Sequence, residues 1–436
     1  MTLLTRRNAL QLGLAGGLAL AMAPRAFAQL NVTVEGANFR PLPIAIPDFA
    51  SSDPTFGREI ASIVRADLQR SGLFLPLDPA SLPIQVGDPN GTPDFNTWRT
   101  VNVDALVMGG VERGGQISSS VRVWDTRQGT QAVGKTYSTD PGSSRRVGHQ
   151  IADAIYEALT GGGGYFDTRV LYVAESGPKA NRVRRLAIMD QDGANAQYLT
   201  DGSTMALTPR FSPAGDMVTY MNFADGNPQV YLLQLSSGRQ QRLASVGAMT
   251  FAPRFSPDGG TVAFSVEQGG ATNIYAVGTG GGTPYQLTSG AAIDTSPSYS
   301  PDGSRIVFES DREGSPQIYM MSSGGGGAQR ISFGQGSYST PVWSPKGDLI
   351  AFTRQGGGQF SIGVMNADGS GERLLYSSYH AEGPSWAPNG RVIMFFQDPG
   401  GNDGPRLQSV DIWGRNLQTI PTDSYASDPA WSALRA

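Results

Sequence analysis

The phrase "PRFSPDGG", Pro253 to Gly260, returns four more times in this chain, as "PRFSPAGD", "PSYSPDGS", "PVWSPKGD" and "PSWAPNGR". Its leading prolines are Pro209, Pro253, Pro297, Pro341 and Pro384, spaced 44, 44, 44 and 43 residues apart. A further step of 45 reaches Pro429 in "DPAWSALRA", the last residues of the chain. A period of about 40–45 residues fits a four-stranded propeller blade. Within one unit, "TVAFSV", "NIYAVG" and "PYQLTS" read as strands separated by Gly-rich turns. The phrase itself is local physics: Pro presets φ, Asp-Gly accepts positive φ, and Ser-Pro-Asp-Gly makes a hairpin. The aromatic residue before it (Phe211, Phe255, Tyr299, Trp343, Trp386 and Trp431) is large enough to fill the space between adjacent blades.

The two ends of the repeat predict how the ring closes. The first unit, "TRVLYVAES" (Thr168 to Ser176), lacks an aromatic-Ser-Pro strand just before it. The final "DPAWS" is such a strand with nothing after it. Placing the C-terminal strand in the first blade gives six blades and leaves no open sheet edge. The expected fold class is mainly β: a six-bladed β-propeller over residues 165–436, preceded by a small α/β domain over 41–164. In that domain "PIAIPDFA" and "DALVMGGVE" read as strands. "TFGREIASIVRADLQRSG" and "SSRRVGHQIADAIYEALTG" carry apolar residues at helical spacing, the second ending on Gly161 as a stop. "GGGG" at Gly161 to Gly164 marks the boundary.

Residues 1–28 follow another plan. Arg6 and Arg7 precede the apolar "NALQLGLAGGLALAMAP", and "AFA" follows at Ala26 to Ala28. This is a secretory signal with cleavage expected between Ala28 and Gln29. Its apolar run is short and Gly-interrupted for a membrane span of about 20 residues, so no membrane insertion is expected. "TRRNALQL" also carries the paired arginines of twin-arginine export. Without the three arginines of the signal, 30 basic residues face 37 acidic ones, so no nucleic-acid footprint is present.

The sequence is poor in catalytic equipment. It has no cysteine and two histidines, His149 and His380, which excludes thiolate chemistry, disulfides and a His-rich metal cluster. It has no G-x-S-x-G elbow. "MDQDGANAQ" (Asp190, Asp192) and "MNADGSGE" (Asn366, Asp368) resemble parts of calcium loops, but a full loop needs more oxygens and a distal glutamate at a fixed offset, and both stretches fall at hairpin positions. No cofactor is implied, and nothing supports a cation in the propeller channel.

A signal peptide, a small α/β domain, six "FSPDG"-type repeats and a closing "PAWS" together resemble the TolB family, the periplasmic propellers of the Tol-Pal system. The mature start "QLNVTVEGANFRPLPIAIPDF" and the stretch "IASIVRADLQRSGLFLPLD" are similar to that family's N-terminal domain. The resemblance implies a non-enzymatic monomer in the periplasm that serves envelope integrity and outer-membrane constriction at division. It implies that the lipoprotein Pal docks at one mouth of the propeller and that TolA binds a mobile segment, residues 29–40, with contact by Leu30, Val32 and Val34. Carried over by position, the Pal contacts are Met249, Thr250, Thr295, Ser296, Ser339, Thr340, His380 and Glu382. Other outer-membrane proteins are possible further contacts. The loops ending in "AMTFAP", "IDTSP", "SYSTP" and "HAEGP" converge on that mouth; they are small and polar, as a docking surface allows. A secreted propeller hydrolase and a small-ligand-binding propeller remain the alternatives. The first needs a cluster of channel acids, the second a deep apolar channel with stacked aromatics.

Overall fold

The computed structural model describes residues 39–83, 88–224, 226–244 and 246–435. The expected cleavage residues Ala28 and Gln29, and Leu30, Val32 and Val34, lie outside them.

The N-terminal domain is a five-stranded sheet in the spatial order Phe74–Pro76, Leu42–Ala45, Ala105–Arg113, Ile117–Asp125, Thr130–Thr139. The first three strands run parallel and the last two form an antiparallel meander. Helices α1 (Pro54–Arg70) and α3 (Ser144–Thr160) cover one face, and the short helix α2 (Phe95–Arg99) lies with a smaller apolar cluster around Trp98. Helix α1 starts where the Asp53 carboxylate accepts the N–H groups of Thr55 and Phe56, with Pro54 in its first turn. Helix α3 stops at Gly161, whose φ of 68° turns the chain out of the helix. The apolar stripes of both helices meet the sheet at Ile60, Val64, Ile151 and Ile155, all fully buried. They cross closely because Gly148 has no side chain: a Cβ there would lie 2.7 Å from Ile63.

The rest is six four-stranded antiparallel sheets around a ring. The innermost strands of blades 2 to 6 are Ala206–Phe211, Met249–Phe255, Asp294–Tyr299, Ser337–Trp343 and Ala381–Trp386, and that of blade 1 is Tyr425–Trp431. The last of these sits in the first blade, pairing Trp431 with Val170 and Ala430 with Leu171. The chain's tail therefore closes the ring, as the truncated final repeat predicts. The six phrase aromatics pack in apolar clusters that join neighbouring blades; Trp386 Nε1–H also donates to the Val342 carbonyl at 2.9 Å. Outer strands are shorter than "PYQLTS" suggests: only Tyr285–Gln286 pairs there, because the sheet's outer edge has little apolar surface left to bury.

The two domains meet at blades 6 and 1, on the face that carries the Ser-Pro-Asp-Gly turns. Asn416 and Gln418 donate side-chain N–H groups to the Arg70 carbonyl at 2.7 and 3.0 Å. Gln191 donates to Asp67, and Arg146 to Asp167. Ala387, Val392 and Trp431 complete the apolar core of the N-terminal domain. Asp153 of α3 accepts the backbone N–H groups of Tyr165, Phe166 and Asp167, so the segment after the four glycines is fastened to the helix.

Candidate functional site: the free mouth of the propeller

Every innermost strand starts on the face opposite the N-terminal domain. Each then breaks register at the residue before its proline. Those residues are Thr208, Ala252, Ser296, Thr340, Gly383 and Asp428, with φ between 47° and 69°. A residue before proline ordinarily avoids helical conformations, and five of these six carry a side chain. The ring thus holds six bulges that bend each strand and re-aim its side chains at the channel.

The expected contact residues occupy this region, in different states. Ser296 and Thr340 are themselves bulge residues. The Thr340 hydroxyl lies 2.8 Å from that of Thr353, and its N–H donates to Glu309. Thr295 accepts from the Ser265 hydroxyl at 3.1 Å and so links blades 3 and 4. Ser339 is half-buried opposite Thr353. Met249 borders a groove of about 510 Å³ between blades 2 and 3, together with Gln229, Arg242 and Glu267. His380 lies 3.4 Å from Glu382, between the edges of Phe360 and Phe396. Thr250 differs from the rest: it is 1% exposed, and its hydroxyl accepts the Val230 N–H at 2.8 Å. Its side chain fastens blade 3 to blade 2 and offers nothing to a partner.

The channel wall is charged and divided. Arg210 and Arg254 follow the bulge prolines of blades 2 and 3; burial lowers both pKa values, and for Arg254 the like charge of Arg210 adds to it. Burial raises Asp428 against the pull of Arg210, and raises Glu382 against the pull of His380. Glu309 is pushed up to about 7 by burial, with Glu382 and Asp311 adding repulsion. Neither histidine bonds a serine hydroxyl among the described residues: His149 pairs with Asp67 and His380 with Glu382.

Sequence reasoning missed the apolar part of the mouth. Ile293, Phe333 and Tyr379 sit just before the innermost strands of blades 4, 5 and 6 and are 47%, 73% and 71% exposed. The last two are the most exposed large apolar side chains among the described residues. Their only signal was an aromatic set among glycine and serine, in "SFGQGS" and "SSYHAEG". A second groove of about 620 Å³ opens between blades 6 and 1, beside Glu175, Arg406 and Tyr425.

A family model described as the TolB beta propeller domain matches residues 156–435, and one described as the TolB amino-terminal domain matches residues 30–132. The chain belongs to the TolB family. It is similar over 93% of its length, at 26% identity and a TM-score of 0.81, to the whole chain in the crystal structure of TolB from Acinetobacter baumannii. More distant likenesses concern the fold alone. A chain of a nidogen/laminin complex matches at 9% identity and a TM-score of 0.51, over 62% of this chain and 100% of that one. The Kuenenia stuttgartiensis hydrazine synthase matches at 14% and 0.52, over 63% of this chain and 47% of that one. TolB-family proteins are periplasmic propellers of the Tol-Pal system, and no helix among the described residues is long and apolar enough to cross a membrane.

Proposed function

We propose that the chain is a non-enzymatic periplasmic adaptor of the Tol-Pal system. It docks the outer-membrane lipoprotein Pal at the free mouth and TolA through residues 29–40, in the service of envelope integrity and constriction at division. The observation that supports this most is the division of faces. The N-terminal domain packs on the turn face of blades 6 and 1, and the opposite mouth is left bare with Phe333 and Tyr379 exposed upon it. Exposed aromatics rimmed by polar and charged groups are what protein interfaces use as anchors. A terminal segment with apolar residues at alternate positions suits addition to a partner's sheet edge. Such a segment can couple the two partners if its docked and released states differ in affinity for either one.

The test is retention from an envelope extract on the immobilised mature chain. The adaptor reading expects a peptidoglycan-linked lipoprotein to be retained. It expects deletion of residues 29–40 to abolish TolA retention while leaving the lipoprotein bound. Turnover of a substrate by the purified chain, or unchanged TolA retention after the deletion, would count against it.

A further inference from the structure

The stretch "MDQDGANAQ" forms a blade-1 hairpin loop, yet it does not stand alone. It faces α3, where His149 and Arg145 lie one turn apart. A ring nitrogen of His149 and carboxylate oxygens of Asp190 and Asp192 all lie within 4.8 Å of one another. His149 is 1% exposed. Its Nδ1 is 2.5 Å from the Asp67 carboxylate, and its buried Nε2 has no hydrogen-bond partner. An orphaned buried polar atom costs about 1–3 kcal/mol, so such an atom calls for an explanation. With Asp67 holding the proton at Nδ1, Nε2 is the ring atom left to meet an ion, which would take the place of any proton there. A carboxylate fixing the tautomer of a histidine is the usual support of a metal ligand.

We propose that His149 Nε2, Asp190 and Asp192 form a site for a divalent first-row transition ion that clamps the N-terminal domain to blade 1 of the propeller. One imidazole and two carboxylates suit zinc, manganese or cobalt. Ligand atoms of one zinc ion lie about 2.0–2.2 Å from it and hence at most about 4 Å apart. In a tetrahedral site such atoms are about 3.4 Å apart, so separations of up to 4.8 Å require the loop to close by about 1.4 Å at most. The carboxylates are now balanced by protein cations. Arg145 bonds Asp192 and lies 3.7 Å from Asp190; Arg70 and Arg435 are each 3.9 Å away from one of them. Asn195 donates to Asp190 at 2.6 Å and the Ala194 N–H to Asp192. Arg145 is the competitor an ion must displace. It borders a pocket of about 430 Å³ at the domain junction, which gives its side chain room to withdraw.

The experiment is calorimetric titration of the purified mature chain with zinc chloride, with the visible absorption of bound cobalt(II) as a second readout. Saturable binding of one ion per chain is expected. His149→Ala and Asp192→Asn should each weaken it at least tenfold, and Asp67→Asn about 10–100-fold. Arg145→Gln should tighten it, and His380→Ala should leave it unchanged. Asp192→Asn lies in a turn and keeps the proposal testable if His149→Ala does not fold, which circular dichroism will show. No one-to-one binding, binding unmoved by Asp192→Asn, or weaker binding in Arg145→Gln overturns the site.

Discussion

Glu309→Gln should make the protein more stable at pH 8 and leave it unchanged at pH 4.5. Glu309 stands in the channel wall, where burial holds its carboxyl at about 7 against an ordinary value near 4.5, and Glu382 and Asp311 repel its charge. A raised folded pKa means that the native state binds the extra proton. The associated stability is fully present below about pH 4.5 and is lost as pH rises through about 7. Each unit is about 1.4 kcal/mol, which sets a ceiling of roughly 3 kcal/mol. Solvent reaching the residue from the channel reduces this to about 1–2 kcal/mol. Glutamine keeps an acceptor for the Thr340 N–H and never ionises. Urea unfolding of both proteins at pH 4.5, 6 and 8 provides the measurement. The curves should coincide at the lowest pH and separate by about 1–2 kcal/mol at the highest, with the variant above. Parallel profiles across the range would refute the assignment of strain to this carboxyl.

Two further outcomes test the fold. Gly148→Ala should destabilise by about 1–2 kcal/mol in chemical denaturation, because the added Cβ collides with Ile63 at the α1–α3 crossing and overpacking outweighs the gain in helix propensity. Trp431→Phe should cost about 1 kcal/mol in the same assay, since it removes the indole N–H that donates to buried Thr168 at 2.8 Å and helps hold the closing strand.

The architecture was legible because its determinants repeat. Six prolines at near-constant spacing and a last phrase with no successor specify six blades and their closure, and two amphipathic stripes specify α1 and α3. What escaped the sequence depends on contacts between distant strands. Five of the six bulges sit on residues with side chains before proline, so no glycine announced them. Thr250 reads like its neighbours in the mouth, but the adjacent blade takes its hydroxyl. The meander strands Ile117–Asp125 and Thr130–Thr139 were missed because "ISSSVRVWD" and "TQAVGKTYST" are largely polar; the second is mostly exposed along its length. Phe333 and Tyr379 lie in loops where composition points to turns, and only the fold shows that both loops open on the same face. The pairing of His149 with a hairpin some forty residues away required the docking of two domains.

The central claim is that the bare mouth docks the partner and the turn face does not. Calorimetry of the periplasmic part of Pal against the chain carrying both Phe333→Ala and Tyr379→Ala tests it, with Trp413→Ala on the turn face as the reference. Loss of two such anchors is predicted to weaken binding by about 100-fold or more, with Trp413→Ala matching the unaltered chain. Full affinity in the mouth variant, or a loss confined to Trp413→Ala, would contradict the account.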